Sequence, residues 1–349
     1  MMGRSQLSSW NQWLAVGVVA VILLLAFIHP AAGSSEDLLD DVPVVRIEQE
    51  LMGTRWVFEV ADSPGEPAVL NAISQGFREV ARIDQMMSEW RPTSPLSAIN
   101  RNAGVSPVTV PEELIAILRR SIEYGELTDG AFDITWRGMG ELWSFDEDFA
   151  VPEDSAIQAA VRRVNFREIR LTGDQVLLPH RGMAIGLGGI AKGYAVDRAA
   201  QVLHRNGLEN FLIDAGGDIY VSGRKGDRPW KLGIRHPRGT SKDLLAVVSV
   251  RDASLVTSGD YERYRIVDGV RYHHLINPQT GRPARGTQSV SVIAPMAEEA
   301  DVLATAIFVL GPSRGMALAA RRDQVEVLIV DEYGQVRMTD GMAEKTELR

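Results

Sequence analysis

Residues 186–193 read Gly-Leu-Gly-Gly-Ile-Ala-Lys-Gly. They follow a strand-like segment at Met183–Ile185 and lead into a segment with helical periodicity at Ala191–Arg205. Glycines before a helix start let a ligand approach the backbone, and the free N–H groups of the first turn favour anions. Lys192 adds a positive charge that suits a phosphate group. The glycine spacing matches neither the P-loop nor the dinucleotide fingerprint. A purely structural role, tight packing of the strand against the helix, therefore stays open.

The chain on both sides of this segment mixes helices and strands without regular alternation. Helices are predicted at Ala68–Asp84, Glu112–Thr128 and Glu298–Leu310, the last stopped by Gly311-Pro312. Val44–Val60 is expected to hold two strands around a tight turn, and Gly130–Trp143 a loop with functional content. Further strands are predicted at Glu168–Leu171, Gln175–Leu178, Phe211–Ile213, Ile219–Ser222, Lys231–Arg235, Leu245–Val250, Leu255–Thr257, Tyr264–Val267, Val290–Ala294, Val325–Val330 and Gln335–Met338. This mixture favours the α+β class, with largely antiparallel sheets flanked by helices.

The composition excludes several classes of protein and site. The chain has 349 residues, no cysteine, and 37 basic against 46 acidic side chains, for a formal net charge of −9. Without cysteine there is no disulfide framework, thiolate zinc site, iron–sulfur cluster or catalytic thiol. The acidic balance argues against a nucleic-acid-binding protein, which needs a basic surface. A hydrophobic content of 45% is typical of a globular chain.

An apolar run near the N-terminus predicts export from the cytoplasm. The run extends from Trp13 to Ile28, and Arg4 is the only charged residue before Glu36. A basic residue before the run and acidic residues after it favour an N-terminus inside and a body outside. We expect the body to lie at the periplasmic face of the inner membrane.

The same run sets the expected domain organisation. Residues 1–33 are predicted to be a signal peptide or signal anchor, 34–43 a linker, and 44–340 the exported domain. Pro30-Ala31-Ala32 is a mediocre signal-peptidase site, which favours an uncleaved membrane helix. Because the chain has no cysteine, it cannot be a lipoprotein anchored through an N-terminal cysteine.

Three polar segments in the second half of the chain each have a functional and a structural interpretation. Asp214-Ala-Gly-Gly-Asp218 follows an apolar strand and is either part of a ligand site or a simple turn. Thr257-Ser-Gly-Asp260 precedes the pair His273-His274. Neighbouring histidines in a strand point to opposite faces, which argues against a two-histidine metal site. One of them is a candidate base or phosphate contact, and the alternative is a histidine satisfied within a turn.

Asp301 and Thr305 form a further candidate site. They are four residues apart in a predicted helix and therefore share one helix face. A carboxylate and a hydroxyl among apolar neighbours make a hard oxygen site that suits Mg²⁺. The alternative is a threonine bonded to its own backbone beside a solvated aspartate.

Taken together and in this order, these segments resemble the FAD:protein FMN transferase (ApbE) family. The resemblance runs from about Val44 to Gly311. Its motifs are Met52-Gly-Thr54, Met87-Ser-Glu-Trp-Arg-Pro-Thr-Ser94, Asp129-Gly-Ala-Phe-Asp-Ile-Thr135, Leu187-Gly-Gly-Ile-Ala-Lys-Gly-Tyr-Ala-Val-Asp197, Asp214-Ala-Gly-Gly-Asp218, Thr257-Ser-Gly-Asp260, His274-Leu-Ile-Asn-Pro-Gln-Thr-Gly281 and Ala300-Asp-Val-Leu-Ala-Thr305. Each motif is moderately specific, and their shared order carries the resemblance.

The resemblance implies a body related to the tunnelling fold and a magnesium-dependent enzyme that splits FAD. Such an enzyme transfers the FMN part to a Thr or Ser hydroxyl of an exported or membrane partner protein and releases AMP. It implies Mg²⁺ as cofactor, FAD as substrate and a flavin acceptor protein as partner. The implied Mg²⁺ ligands are the side chains of Asp301 and Thr305 and the backbone carbonyl of Gly189. The implied FAD contacts are Met52, Trp90, Ala131, Phe132, Asp133, Lys192, Thr257 and Ile276, with His274 beside the diphosphate.

The acceptor hydroxyl must lose a proton, so the reaction requires a base. His274 and Asp260 are the expected catalytic residues, and Asp214 is a third candidate. The sequence does not rank these three groups.

The chain departs from the family pattern at four places. Gly186 replaces an aspartate that touches FAD, and Trp136-Arg137-Gly138 replaces Val-Gly-Pro. Asn277 stands where aspartate is commoner, and Ala304 where some members carry an acidic ligand. The change at Gly186 bears on FAD affinity or on the orientation of bound FAD. Two alternative functions therefore remain: an FAD pyrophosphatase that uses water as nucleophile, and a membrane-anchored flavin-binding accessory protein without turnover.

Overall fold

The computed structural model describes residues 42–62, 65–145, 148–240 and 242–349, and the predicted export segment lies outside them. The strands are β1 (Val45–Leu51), β2 (Thr54–Val60), β3 (Val108–Thr109), β4 (Arg170–Thr172), β5 (Gln175–Leu177), β6 (Phe211–Ala215), β7 (Asp218–Ser222), β8 (Trp230–Arg235), β9 (Leu244–Val250), β10 (Ala253–Gly259), β11 (Tyr264–Val267), β12 (Val270–His273), β13 (Ile276–Asn277), β14 (Arg282–Pro283), β15 (Thr287–Ala294), β16 (Glu326–Asp331), β17 (Val336–Met338) and β18 (Thr346–Leu348). The helices are α1 (Glu66–Met87), α2 (Pro95–Arg101), α3 (Glu112–Leu127), α4 (Asp154–Val161), α5 (Ala191–Arg205), α6 (Ala297–Ala319) and α7 (Asp340–Lys345), with 3₁₀ helices at Ile134–Leu142 and Phe166–Glu168.

The predicted α+β class is confirmed by the central sheet. It has eight strands in the order β1-β2-β6-β7-β10-β15-β16-β17, and every pair is antiparallel. The predicted tight turn joins β1 to β2, with Met52 and Gly53 at φ 50° and 73°. Positive φ at both central residues matches the twist of the flanking strands in a two-residue hairpin. This geometry places the Met52 backbone at the tip of the first hairpin.

The central sheet is covered on both faces. Helices pack on one face, where β15 contributes Val292 to a cluster with Phe308 of α6. A three-stranded sheet, β18-β9-β8, packs on the other, where Ile293 joins a cluster with Trp230. All eight residues of β15 are buried, as expected for a strand with neighbours on both edges and layers on both faces.

The starts of α5 and α6 lie against each other. A Cβ added at Gly193 would overlap the carbonyl oxygen of Ala297, so this glycine serves close helix packing. Asp197 accepts hydrogen bonds from the N–H groups of Ala297 and Glu298, at 2.8 and 2.9 Å, and so caps α6. The packing interpretation of the glycine-rich segment therefore holds at Gly193, and it brings Lys192 next to the first turns of α6.

Three predicted elements differ from the structure. Gly130–Trp143 is not a loop throughout, because Ile134–Leu142 forms a 3₁₀ helix whose first turn is capped by Asp133. Met183–Ile185 belongs to no strand, and the backbone N–H and carbonyl of Ile185 bond the Asn100 side chain instead. The helix predicted to stop at Gly311 does break there, at φ 77° and ψ 173°, but a second helical segment continues to Ala319.

Among the described residues, α6 has the length and apolar composition of a membrane span. Half of its most apolar stretch is buried inside the protein, and its core residues pack against β15 and β16. We therefore interpret α6 as the central core helix. The compact body extends from Val42 to Arg349, and β18 near its end pairs with β9.

Candidate functional site

One large cavity collects most of the site residues predicted from the sequence. Its volume is about 1940 Å³. The lining includes Met52, Trp90, Ala131, Phe132, Asp133, Gly189, Lys192, Thr257, His274, Ile276, Asp301 and Thr305. Residues as far apart in sequence as Met52 and Thr305 meet there because strand ends and helix starts converge. For example, Asp218 pairs with Val256 across β7 and β10, which places it beside Thr257.

The most densely charged part of the cavity is formed by Lys192, Asp218 and Asp301, which we call the charged centre. The Nζ atom of Lys192 lies 2.5 Å from Oδ2 of Asp218, and both carboxylates are at most 4% exposed. Asp301 accepts a hydrogen bond of 3.2 Å from the backbone N–H of Gly193. Burial alone would lower the pKa of Lys192, but the carboxylates of Asp218 and Asp301 outweigh it and raise that pKa. Lys192 is therefore positively charged at neutral pH.

Asp218 pairs directly with Lys192, whereas Asp301 bonds the Gly193 N–H and the Asp218 side chain. Burial, followed by the charge of Asp218, raises the pKa of Asp301, and Lys192 only partly opposes this. Two buried carboxylates next to one lysine favour the uptake of a further positive charge, either a proton on Asp301 or a bound cation. The charged centre thus has the electrostatics of a cation site.

The oxygen donors predicted for a metal lie together. Asp301 and Thr305 are one turn apart on α6, and a Cβ added at Gly189 would lie 3.3 Å from the Thr305 hydroxyl oxygen. Within the described ranges, no group of three or more His, Asp or Glu side chains is arranged around a metal position. The donors present are hard oxygens of a carboxylate, a hydroxyl and a carbonyl, and they fit a hard divalent cation better than zinc.

The two neighbouring histidines lie in different environments, because β12 ends at His273 and His274 follows it in a bend. His274 lines the large cavity, whereas His273 lines a small one of about 140 Å³ and bonds the Ala284 carbonyl through Nε2 at 2.9 Å. Burial, with smaller contributions from His273 and Arg263, lowers the pKa of His274 to about 4. The His274 imidazole is therefore neutral at neutral pH and able to accept a proton.

The two aspartates proposed as alternative bases lie outside the lining of the large cavity. Asp260 is 5% exposed, and both of its carboxylate oxygens accept hydrogen bonds from Arg238, at 2.6 and 2.7 Å. Asp214 accepts a hydrogen bond of 2.8 Å from the backbone N–H of Gly217. Both carboxylates are thus engaged in structural contacts, and His274 is the candidate base that faces the cavity.

Two further predicted contacts have protein partners of their own. Asp133 accepts hydrogen bonds from the N–H and hydroxyl of Thr135 and from the N–H of Phe166. It therefore holds the start of the 3₁₀ helix while lining the cavity. The Thr257 hydroxyl lies 2.7 Å from that of Ser291 on the neighbouring strand.

At another part of the lining lie Glu89, Trp90 and Arg137, which we call the tryptophan end. Trp90 is 74% exposed, and the Arg137 guanidinium carbon lies 5.1 Å from its ring centroid. The Arg137 Nε atom lies 2.9 Å from Oε1 of Glu89. Sequence reasoning named Trp90 as a contact, whereas Glu89, Arg137 and Asp218 were quoted only within motifs and given no role of their own, because their partners are distant in sequence.

The fold and the cavity define a class of protein: an α+β body with one large cavity whose lining includes the charged centre and the exposed indole of Trp90. The chain belongs to the ApbE family, whose model matches residues 52–329. It is similar to the FAD:protein FMN transferase of Treponema pallidum, at 39% identity over 79% of this chain and 82% of that one. The FAD:protein FMN transferase of Vibrio cholerae is 30% identical over 86% and 90% of the two chains.

Solved structures of the family share the fold. The ApbE protein of Thermotoga maritima matches with a TM-score of 0.80 at 33% identity, over 87% of this chain and 99% of that one. The flavin transferase ApbE of Vibrio cholerae matches with a TM-score of 0.78 at 28% identity, over 87% of this chain and all of that one. The described body therefore has the architecture of the family along most of its length.

Proposed function

We propose that the protein transfers the FMN part of FAD to a Thr or Ser hydroxyl of an exported or membrane partner protein and releases AMP, with Mg²⁺ as cofactor. The observation that carries this proposal is the grouping of Lys192, Asp301, Thr305 and His274 around one cavity. Its relatives named FAD:protein FMN transferase support the choice of FAD. The proposed activity is protein flavinylation, the covalent attachment of a flavin to a partner protein.

The size of the cavity supports a large substrate and a second reactant. At about 1940 Å³ it exceeds the range of about 300–1,000 Å³ that is usual for small-molecule pockets. A dinucleotide such as FAD needs a long site, and the acceptor side chain must enter the same space. The volume therefore suits a transferase better than an enzyme that admits only water.

The charged centre is suited to the diphosphate of FAD. Asp301, Thr305 and the Gly189 carbonyl would hold Mg²⁺, which when bound neutralises phosphate charge and polarises the phosphoryl group. Lys192 contributes a fixed positive charge, which stabilises charge that develops on the phosphate oxygens. Asp218 holds the Lys192 ammonium in place through their 2.5 Å contact.

His274 is the proposed base. The acceptor hydroxyl oxygen bonds to the phosphorus on the riboflavin side, and the bond between that phosphorus and the AMP phosphate oxygen breaks. The hydroxyl proton passes to the neutral imidazole of His274, and AMP leaves with its bonding electron pair. Asp260 is proposed to act indirectly, because its ion pair with Arg238 holds the segment that leads towards His274.

The experiment is to incubate the exported body with FAD, Mg²⁺ and a candidate acceptor protein. We expect the acceptor to gain the mass of FMN and AMP to appear in equal amount. Free FMN without acceptor would indicate the pyrophosphatase instead, and FAD retained intact at one per protein would indicate the accessory protein. If FAD is neither cleaved nor bound with any acceptor protein, the proposal is wrong.

The proposed location is the periplasmic face of the inner membrane, with the uncleaved helix within residues 1–33 as anchor. The basis is the apolar run and its flanking charges in the sequence. The mass of the protein extracted from membranes tests this. A mature mass that lacks about the first thirty residues would contradict the anchor.

A further inference from the structure

Gly186 marks a place in the cavity where an added side chain would meet the Glu89 carboxylate. A Cβ added there would lie 2.5 Å from Oε2 of Glu89, 3.1 Å from Cβ of Arg137 and 3.2 Å from Nε1 of Trp136. The φ angle of Gly186 is outside the left-handed region, so its conformation does not demand glycine. A side chain at position 186 would therefore require the Glu89 carboxylate to move.

A second glycine makes room for the partner of Glu89. A Cβ added at Gly140 would lie 2.6 Å from Nη1 of Arg137. The side chains of Glu89 and Arg137 are only 9% and 20% exposed, and both residues line the cavity. Burial of an ion pair costs desolvation free energy, which further hydrogen bonds must offset.

The Glu89–Arg137 ion pair presents hydrogen-bonding groups next to the aromatic ring of Trp90. Oε1 of Glu89 faces Arg137, and Oε2 lies on the side of Gly186. The Arg137 guanidinium lies over the indole of Trp90, most of which is exposed. A carboxylate acceptor and guanidinium donors thus stand side by side, with the guanidinium over the indole ring.

We propose that Glu89, held by Arg137, accepts a hydrogen bond from an N–H group of an FAD ring that packs at Trp90. The ligand chemistry is a fused heteroaromatic ring with an N–H donor next to a carbonyl or ring-nitrogen acceptor. Both the isoalloxazine and the adenine of FAD have such an edge. This inference rests on the proposed function, since it takes FAD as the ligand, and it makes Glu89 and Arg137 residues of specificity.

The electrostatics of Glu89 agree with this role. Burial raises the pKa of Glu89, although Arg137 opposes the shift. Arg137 alone therefore does not compensate the desolvation of the carboxylate, and an N–H donor from a ligand would add to that compensation.

The test is the dissociation constant of FAD, followed by flavin fluorescence, for the wild type and for Glu89→Ala. We expect Glu89→Ala to weaken FAD binding about tenfold, the typical effect of a lost hydrogen bond to a charged group. The matched control is Glu113→Gln, which removes a glutamate paired with Arg82 at 2.7 Å outside the cavity and should leave the constant unchanged. Equal FAD binding by the wild type and Glu89→Ala would overturn the inference.

Moving the carboxylate from position 89 to position 186 distinguishes a loss of FAD recognition from a loss of folding. Gly186→Asp alone should weaken binding, because its side chain meets the Glu89 carboxylate. In the double variant Glu89→Ala/Gly186→Asp the carboxylate moves to the opposite side of the same space, and we expect tighter binding than in either single variant. Binding weaker than in both single variants would contradict the proposal.

Two fragments identify the ring. Affinities of FMN and AMP are measured with the same variants, and we expect only one fragment to lose affinity in Glu89→Ala. A loss for FMN assigns the isoalloxazine, and a loss for AMP assigns the adenine. A wild type that binds FAD but transfers nothing would remove the proposed function and leave this inference standing, because binding is measured without an acceptor.

Discussion

The charged centre and the tryptophan end line one cavity, but their side chains are held in different ways. Lys192 lies in the first turn of α5, Asp301 in the second turn of α6, which packs against α5, and Asp218 begins β7. Glu89 and Gly186 lie outside helices and strands, and Arg137 lies in the 3₁₀ helix. The first region is built to hold charge, whereas the second is built to fit a ring. We therefore expect changes at the charged centre to affect the chemical step and changes at the tryptophan end to affect FAD affinity.

The largest expected effect is the loss of the proposed metal donors. Asp301→Ala or Thr305→Ala should abolish Mg²⁺-dependent AMP release, because the diphosphate charge is no longer neutralised. AMP is measured by chromatography, and circular dichroism should show an intact fold. Glu299→Gln is the control on the same helix, since Glu299 pairs with Arg322 outside the cavity. Full activity of Asp301→Ala would show that the metal assignment is wrong.

Loss of the proposed base should have the next largest effect. His274→Ala should lower the rate of FMN transfer about a hundredfold or more at saturating FAD, as is typical for removal of a general base. The rate is measured by mass spectrometry of the acceptor. His180→Ala removes a largely exposed histidine that pairs with Glu168 and should be neutral. An unchanged rate of FMN transfer in His274→Ala would show that another group acts as the general base.

The pH dependence of FMN transfer should reflect the lowered pKa of the His274 imidazole. A base with a pKa of about 4 is neutral above that pH, so transfer should stay nearly constant from neutral pH to about 5.5 and fall only on further acidification. An unperturbed histidine of pKa about 6.5 would be only about one-tenth neutral at pH 5.5. A half-maximal rate near pH 6.5 would contradict the buried, neutral imidazole.

Trp90→Ala should affect affinity more than rate. Loss of the aromatic platform should raise the dissociation constant of FAD about tenfold, since stacking on an aromatic side chain contributes about 1–3 kcal/mol per ring. The rate at saturating FAD should change by less than about threefold. Tyr333→Ala is the control, because Tyr333 is 80% exposed and does not line the cavity. A large fall in rate with unchanged affinity would break the distinction between the two regions.

Asp260→Asn should have the smallest effect on the chemical step. The substitution weakens the bidentate ion pair with Arg238, so we expect the free energy of unfolding, measured by denaturant titration, to fall by about 1–3 kcal/mol. Transfer by the folded variant should remain within about threefold of the wild type, because Asp260 lies outside the cavity lining. A hundredfold loss of rate in a stably folded Asp260→Asn would make Asp260 a catalytic candidate again.

Local patterns predicted many elements of the fold. Ala191–Arg205 was expected as a helix and has those bounds, and the hairpin around Met52-Gly53 is where the turn signal placed it. The 3₁₀ helix at Ile134–Leu142 was missed because its aromatic and glycine residues have no helical period. Side-chain capping by Asp133 and contacts to Phe166 stabilise it, and these depend on the folded environment.

The departures from the family motifs show where sequence reasoning reaches its limit. Gly186 and Trp136-Arg137-Gly138 are about fifty residues apart and looked independent. In the structure the Cβ position of Gly186 is in contact with both Trp136 and Arg137, and with Glu89. They form one local arrangement around a carboxylate, rather than separate losses of ligand contacts.

Residue types and spacing were sufficient to predict the α+β class and the shared helix face of Asp301 and Thr305. These properties follow from backbone periodicity, which acts over a few residues. The tertiary structure decided that His274 faces the cavity while Arg238 neutralises Asp260, and that Glu89 fills the space beside Gly186. Such contacts depend on packing between segments far apart in the chain, and no local pattern records which side chains will meet.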